Sequence, residues 1–222
     1  MYIQNEKIKN LYRILFMFFC EAGIILQYAI VARIGNVTTL SLYYTMLSNI
    51  VCFVYFAYLL VVRPEKENAS FKFVIVMCIM ITGLGYHFLL NGFMEAGVGA
   101  VAEVTFTEYF SNTCLHYIVP IMTFVDYLLF TEKGQLKFKS TIVAPVMPLI
   151  YVVFIMIVAQ VSNVKFAGFG SGLSRYPYPF LDVDLLGMGK VIIAVAVILL
   201  IYYIISCVVY AMDKALGKIS NK

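Results

Sequence analysis

The stretch SNTCLHYIVPIMTFVDYLLF, from Ser111 to Phe130, decides the fold class of this chain. Apolar residues dominate it over the length of about 20 residues that a helix needs to cross a bilayer, yet it contains His116, Pro120 and Asp126. Polar side chains within a membrane are costly and usually face the interior of a helix bundle. The stretch therefore predicts a transmembrane helix with an inward polar face. His116 is its most informative residue, because the chain has only 2 histidines.

The composition of the whole chain is that of a membrane protein. Among its 222 residues, 63% are hydrophobic and 13% are charged, whereas soluble domains carry roughly 25% charged residues. Long apolar runs predict an all-α membrane protein, a bundle of six transmembrane helices in a single domain covering residues 1–222. We expect the spans at about 11–32, 41–62, 71–91, 112–130, 141–161 and 187–210. The connections are short, so any function must be built from the helices and their loops.

Basic residues are distributed unevenly between the two sides of this predicted bundle. The side that carries both termini has 12 of the 16 lysines and arginines, and the other side has four. Positive residues accumulate on cytoplasmic loops, so both termini are expected in the cytoplasm. This orientation explains the net charge of +4, and we predict no nucleic-acid partner. The 5 cysteines include no CxxC pair, and we predict no metal and no cofactor.

Three polar residues are expected at one depth near the outer side. Thr45 and His116 each lie four residues inside the outer end of a predicted span, and His87 lies four residues before the end of the third. At a rise of about 1.5 Å per residue, each is roughly 6 Å below its helix end. The three residues therefore predict a polar layer in a cavity that opens to the outer leaflet.

Helical periodicity gives each of these spans one polar face. The faces comprise Ser41, Thr45, Ser48, Asn49 and Cys52 on the second span, Gly83, His87 and Asn91 on the third, and Asn112, His116, Pro120 and Thr123 on the fourth. Such residues can also simply join helices by hydrogen bonds. Pro120 is open to two interpretations, because it either leaves the His116 carbonyl without its helical donor or lies harmlessly in a first helical turn.

A hydroxyl beside an imidazole in an apolar layer can perform nucleophilic catalysis. The histidine takes the proton as the Thr or Ser oxygen attacks a carbonyl, and nearby donors stabilise the oxyanion. Asn49 and Asn91 are candidate donors, one turn from Thr45 and His87 respectively. The chain contains neither a GxSxG nor an HExxH motif, so this prediction rests on the position of the residues alone.

Three motifs resemble a known family. YYTMLSN at 43–49, LHYIVPIMTFVDYLLF at 115–130 and YPYPFLDV at 176–183 are similar to bacterial six-span membrane proteins related to the eukaryotic androgen-induced and androgen-dependent TFPI-regulating protein family. Eukaryotic members are threonine hydrolases of fatty acid esters of hydroxy fatty acids. The resemblance implies Thr45 as nucleophile and His116 as base, with Ser48 as the rival nucleophile. It further implies a lipid or fatty-acyl ester substrate in a bacterial plasma membrane.

The segment SRYPYPFLDVD at 174–184 lies on the predicted outer side. Pro177 and Pro179 favour an extended path, so the segment can cover the cavity as a semi-rigid lid, or anchor at the lipid headgroups through its aromatic residues. As a lid it would bring Arg175 and Asp182 to the cavity mouth, where Asp182 can orient a histidine and Arg175 can meet a carboxylate.

Two other functions are compatible with the sequence. Glu21 near the middle of the first span is costly unless it is neutral or paired, so with the histidines it suggests a small proton-coupled transporter or a non-catalytic lipid-binding protein. A metal-dependent hydrolase that uses His87 and His116 lacks an evident third ligand. Asp126 lies roughly 15 Å from His116 by helical rise and is expected to form structural bonds near the cytoplasmic surface.

Overall fold

The computed structural model describes residues 3–34, 37–90, 105–167 and 172–220. Its helices are α1 (Glu6–Ile34), α2 (Val37–Leu40), α3 (Tyr44–Val61), α4 (Ala69–Gly85), α5 (Phe106–Thr113), α6 (Val119–Phe130), α7 (Lys139–Val161), α8 (Val183–Leu186) and α9 (Met188–Ser220). Two π-helical turns, π1 (Tyr86–Leu90) and π2 (Cys114–Ile118), continue α4 and join α5 to α6. The strands β1 (Phe166–Ala167) and β2 (Leu173–Ser174) form an antiparallel pair, followed by a 3₁₀ turn at Pro179–Leu181.

Six of these helical segments are long and apolar enough to cross a membrane, which confirms the predicted fold class for the described residues. They are Glu6–Arg33, Tyr44–Val61, Ala69–Leu90, Phe106–Phe130, Lys139–Val161 and Met188–Ile219. Several begin or end outside the predicted limits, and α9 continues about ten residues further. Apolar runs mark the part of a helix suited to lipid, whereas helical hydrogen bonding continues into polar turns that hydropathy does not register.

The helix α4 lies at the centre of the bundle. It packs against α3, α6 and α7, while α1 packs against α3, α5 and α6, and α9 packs against α7. Burial is therefore heaviest on α4, where Phe73, Val76 and Ile79 are fully inaccessible. The Gly83 backbone approaches π2 so closely that a Cβ there would lie 2.9 Å from the His116 carbonyl oxygen. Central packing thus fixes the distance between α4 and the histidine.

We call the end of the bundle near both chain termini the terminal face. Here the Ile3 N–H donates to the Leu129 carbonyl over 2.7 Å, and Gly134 and Gly217 are in such close contact that a Cβ on Gly217 would lie 2.6 Å from the Gly134 Cα. The opposite end, which holds α2, the β1–β2 pair and α8, is called the far face. Six spans, an even number, bring both chain termini to the same face.

A buried ionic cluster lies at the terminal face. Asp126 accepts a hydrogen bond from Nε of Arg13 over 3.0 Å and is paired with Lys72. Glu67 joins the same two cations, at 2.7 Å from Arg13 and 2.9 Å from Lys72. Asp126, Arg13 and Lys72 are each almost inaccessible. The prediction that Asp126 forms structural bonds is therefore confirmed, and these bonds lie at the terminal face.

Candidate functional site

The side chains of Thr45 and His116 meet near the far face. Thr45 is the second residue of α3, and His116 is the third residue of π2. Oγ1 of Thr45 lies 3.3 Å from Nε2 of His116. The predicted approach of these two side chains to hydrogen-bonding distance is thereby confirmed, and their catalytic role stays a prediction.

The surroundings of His116 determine which of its ring nitrogens carries the proton. Nδ1 lies 3.0 Å from the Asn112 carbonyl oxygen, and a carbonyl oxygen can only accept a hydrogen bond. In a neutral imidazole Nδ1 is therefore the donor and Nε2 is the acceptor. It follows that the Thr45 hydroxyl donates to Nε2, which is the direction required for a base that removes the proton of an attacking hydroxyl.

The His116 ring is held in place by a stacked tyrosine. The rings of Tyr86 and His116 have centroids 4.0 Å apart and an interplanar angle of 28°. Nδ2 of Asn112 donates to the Tyr86 hydroxyl over 2.6 Å. The same residue, Asn112, thus fixes the imidazole through its carbonyl and the stacking tyrosine through its amide, so the ring has one orientation toward Thr45.

A π-helical turn changes which carbonyl Pro120 leaves without a helical donor, from the expected His116 to Leu115. The Val119 N–H bonds the Cys114 carbonyl, five residues earlier, and in this register the missing N–H of Pro120 would have bonded the Leu115 carbonyl. Nδ2 of Asn49 donates to that carbonyl over 3.2 Å, and also to the Thr45 carbonyl over 2.8 Å. Asn49 therefore ties α3 to π2 immediately below the Thr45–His116 pair. Its amide hydrogens are both used, so it is not the oxyanion donor we considered.

A narrow cavity of about 80 Å³ reaches the Thr45 side chain. Its walls come from α3, α4, π1, α7, α9 and the segment that contains the 3₁₀ turn. The lining is largely aliphatic and aromatic, and the Thr45 and Thr82 hydroxyls are among its few polar groups. The His116 side chain lies behind Thr45 and Tyr86 rather than in the lining. A reactive carbonyl entering the cavity would therefore meet the hydroxyl first.

Tyr178 covers this cavity from the far face. It is 8% exposed, and its neighbours include Tyr44, Thr45 and Tyr151. Burial raises the pKa of the Tyr178 hydroxyl, although hydrogen bonding with Thr45 acts in the opposite direction. The phenol consequently stays protonated at neutral pH and can donate a hydrogen bond beside Thr45. The lid interpretation of the 174–184 segment fits this placement, because Tyr176, Pro177 and Tyr178 are buried rather than spread at a surface.

Ser48, the rival nucleophile, is placed differently from Thr45. Its Oγ lies 2.7 Å from the Thr82 hydroxyl and 3.1 Å from the Thr45 carbonyl oxygen. The Ser48 side chain is buried and does not line the cavity. No hydrogen bond joins it to His116 among the described residues. Within this geometry Thr45 is the hydroxyl that has both an imidazole and an open cavity.

His87 does not share the polar layer in the way we expected. Its side chain is exposed, and its Nδ1 lies 3.3 Å from the Tyr117 hydroxyl. The prediction placed Gly83, His87 and Asn91 on one helical face, but the residue of this turn that stacks on His116 is Tyr86, where π1 begins. His87 does not line the cavity. Asn91 lies outside the described residues.

Arg175 and Asp182 bond within their own segment rather than to a histidine. The Arg175 guanidinium donates to Asp184 over 2.9 and 2.5 Å. Asp182 accepts from the Ser174 hydroxyl over 2.6 Å and from the Leu185 N–H over 3.0 Å, which caps α8. Asp182 thus shapes the covering segment, and the expectation that it orients a histidine finds no matching contact among the described residues.

Among the described residues, those expected for a proton-coupled transporter or a metal-dependent hydrolase do not lie together. Glu21 is exposed on the outside of α1 and does not line the cavity. Within the part of the chain that the structure describes, no group of three or more histidine, cysteine or acidic residues is arranged to hold a metal ion. The described residues therefore contain no cluster that matches a proton relay from Glu21 or a metal site built on the two histidines.

Comparisons with known proteins identify no match for this chain. No family model matches the chain, and searches of curated proteins and of solved structures give no match either.

Sequence reasoning missed two residues that lie next to the pair. Tyr86 lies three residues after Gly83, on the polar face of the third span, so helical spacing could have identified it. Tyr178 lies in the segment predicted as a lid, but its burial beside Thr45 depends on how residues 174–182 fold back over α3. No local pattern in the sequence reports that contact.

Proposed function

We propose that this protein is an integral membrane hydrolase of lipid or fatty-acyl esters, with Thr45 as nucleophile and His116 as general base. The observation that carries the proposal is the Thr45 hydroxyl at a cavity wall, 3.3 Å from an imidazole nitrogen that is free to accept its proton. The family resemblance of the three motifs independently selects the same two residues. The proposal needs no metal and no cofactor.

The reaction follows the two-step course of a covalent acyl transfer. Oγ1 of Thr45 attacks the ester carbonyl carbon while Nε2 of His116 takes its proton, and the carbonyl π electrons move to the oxygen. Collapse of this intermediate breaks the bond to the alcohol oxygen, which leaves with a proton returned from the imidazole. Water, deprotonated by His116, then attacks the acyl carbon; the bond to Oγ1 breaks, the imidazolium returns the proton to Oγ1 of Thr45, and the fatty acid is released.

Tyr178 is the group we assign to the oxyanion. Its buried, protonated phenol lies beside Thr45 and replaces Asn49 as candidate donor. A donor aimed at the charge that develops in the transition state typically contributes 10²- to 10³-fold, about 2.7–4 kcal/mol. Tyr178→Phe therefore tests this assignment with the smallest structural change.

The membrane placement of the reaction belongs to the proposal as well. With the basic residues of the terminal face in the cytoplasm, the Thr45–His116 pair is near the outer leaflet of a bacterial plasma membrane. Its substrates and products are then membrane lipids or their acyl fragments.

A steady-state ester hydrolysis assay on purified protein tests the proposal. Thr45→Val preserves the shape of the side chain and His116→Gln preserves polar contacts, and both are expected to lower kcat by at least 10²-fold because a general base typically contributes 10² to 10⁴. The matched controls, Ser48→Ala and His87→Gln, should retain kcat within a few-fold. Gel filtration and thermal unfolding establish that each variant is folded.

Two results would contradict the proposal. If the wild type hydrolyses no acyl ester but binds lipid, the protein is a non-catalytic lipid-binding protein. If His87→Gln or Ser48→Ala abolishes turnover while His116→Gln and Thr45→Val retain it, hydrolysis occurs through another pair and the roles assigned here are wrong.

A further inference from the structure

The cavity at Thr45 forms an apolar groove between α4 and α9. The helix α7 packs against both α4 and α9 and forms the floor of the groove. Hydrocarbon side chains line both walls and the floor, and the wall residues include Ile81, Gly85, Leu89, Val195, Ile198 and Leu199. We call this feature the α4–α9 groove.

Gly85 borders open space in the groove. A Cβ built on Gly85 would meet no heavy atom within 4 Å, although the residue lies at the end of the central helix. Further toward the terminal face, α4 and α9 contribute Val76, Met77, Tyr202 and Val209 to one buried cluster. The space between the helices is therefore filled near the terminal face and empty beside Gly85.

The groove is covered on its far-face side and accessible from the flank of the bundle. Tyr178 and Leu181 are buried above it, and the 3₁₀ turn packs against α9. Leu89, by contrast, lines the cavity and is 37% exposed. In a membrane this flank faces the acyl region, because α4 and α9 are both candidate spans.

We propose that the α4–α9 groove binds a single fatty-acyl chain of a membrane lipid, with the chain's carbonyl end at Thr45. Its walls offer almost no partner for a charged headgroup, and their aliphatic and aromatic side chains suit a hydrocarbon chain. The groove joins the Thr45 hydroxyl to the side from which lipid would enter, so chain and ester carbonyl are placed by one continuous surface. The position of the carbonyl rests on the proposed function; binding of the chain does not.

The first experiment measures binding without catalysis. The chain contains 0 tryptophans, so Leu89→Trp creates a single fluorescent reporter in the groove. A brominated C18 fatty acid, added to the detergent-solubilised protein, should quench it saturably, and unbrominated stearic acid should reverse the quenching. Adding Gly85→Phe to the reporter should reduce saturable quenching at least tenfold. Gly189→Phe, a glycine in equally open space but outside the cavity lining, should leave it unchanged.

The second experiment measures chain-length preference with p-nitrophenyl esters of C4 and C16 acids. Gly85→Phe should lower kcat/KM for the C16 ester at least tenfold relative to the C4 ester, whereas Gly189→Phe should keep the wild-type ratio. Non-saturable quenching that is equal in the two phenylalanine variants would overturn the groove assignment. The assignment would also be overturned if the wild type hydrolysed both esters and Gly85→Phe kept the wild-type ratio of kcat/KM for the C16 ester to that for the C4 ester.

Failure of the groove and failure of the proposed function give different results. Saturable, Gly85-dependent quenching by a wild-type protein that hydrolyses neither ester would retain the groove and reject the hydrolase. Hydrolysis that depends on Thr45 and His116 but is indifferent to Gly85→Phe would retain the hydrolase and reject the groove.

Discussion

The two ends of the bundle both bury polar side chains, but in opposite ways. At the terminal face four charged residues hold one another, so that each acid, Glu67 and Asp126, meets both Arg13 and Lys72. At the far face Thr45 and His116 meet through a hydrogen bond of 3.3 Å beside a cavity. A network of buried ion pairs fixes structure, whereas a hydroxyl that borders open space can meet a substrate.

The largest predicted effect on stability is at the terminal face. Asp126→Ala leaves Arg13 and Lys72 buried with Glu67 as their shared partner, and breaking a buried ion pair costs about 3–5 kcal/mol. We expect a large fall in the thermal unfolding midpoint of detergent-solubilised protein. Asp184→Ala, which removes the exposed pair with Arg175, is the matched control and should change stability by about 1 kcal/mol or less. Equal shifts of the unfolding midpoint in the two variants would contradict the difference in stability between the buried ionic cluster and the exposed ion pair.

A smaller loss of stability is expected at the far face, where the Asn49 amide ties α3 to π2. Asn49→Leu removes the donors to the Thr45 and Leu115 carbonyls, and a buried acceptor left unsatisfied costs about 1–3 kcal/mol. Denaturant or thermal unfolding would measure this loss. Ser48→Ala, one residue away, leaves the bonds made by the Asn49 amide intact and should be the milder change. If Asn49→Leu were as stable as the wild type, the π2 turn would not depend on the Asn49 amide.

The smallest effect concerns a buried lysine that is not part of the ionic cluster. Burial lowers the pKa of Lys133 to about 8, even though Asp213 acts to raise it. The unfolded chain retains this proton up to about pH 10.4, so between about pH 8 and 10 the unfolded state binds more protons and folding stability rises with pH. The contribution cannot exceed about 1.4 kcal/mol per pH unit.

This contribution is measured by comparing variants rather than by one pH profile. Between about pH 7.5 and 9, the unfolding midpoint of the wild type should rise relative to that of Lys133→Met. Lys137→Met, which changes an exposed lysine in the same connection, should follow the wild type. Parallel profiles for all three proteins would show that Lys133 is charged throughout this range.

The sequence predicted the spans and the Thr45–His116 contact for physical reasons that act locally. Apolar length fixes which segments can cross a bilayer, and polar residues on one helical face turn inward regardless of the exact packing. His87 was misplaced because helical spacing from Gly83 is compatible with both Tyr86 and His87 on the inward face. Tertiary packing places Tyr86 against the His116 ring, and spacing along the chain does not choose between the two residues.

The covering segment shows the other limit of sequence reasoning. Asp182 and Arg175 were expected at the cavity mouth on the strength of charge, yet each bonds a nearby group, Ser174 and Asp184 respectively. Short-range partners compete with distant ones at lower entropic cost, because less chain has to be ordered to bring them together. Tyr178 reaches Thr45 only through tertiary packing, which spacing along the chain does not encode.

The central claim is that Thr45 is a nucleophile activated by His116, and active-site labelling tests it most directly. Detergent-solubilised wild type, treated with a fluorophosphonate and digested for mass spectrometry, should carry the phosphonyl group on Thr45. Labelling should be lost in Thr45→Val, fall at least 10²-fold in rate in His116→Gln, and persist in Ser48→Ala and His87→Gln. An adduct on Ser48, or labelling that survives Thr45→Val, would contradict the account.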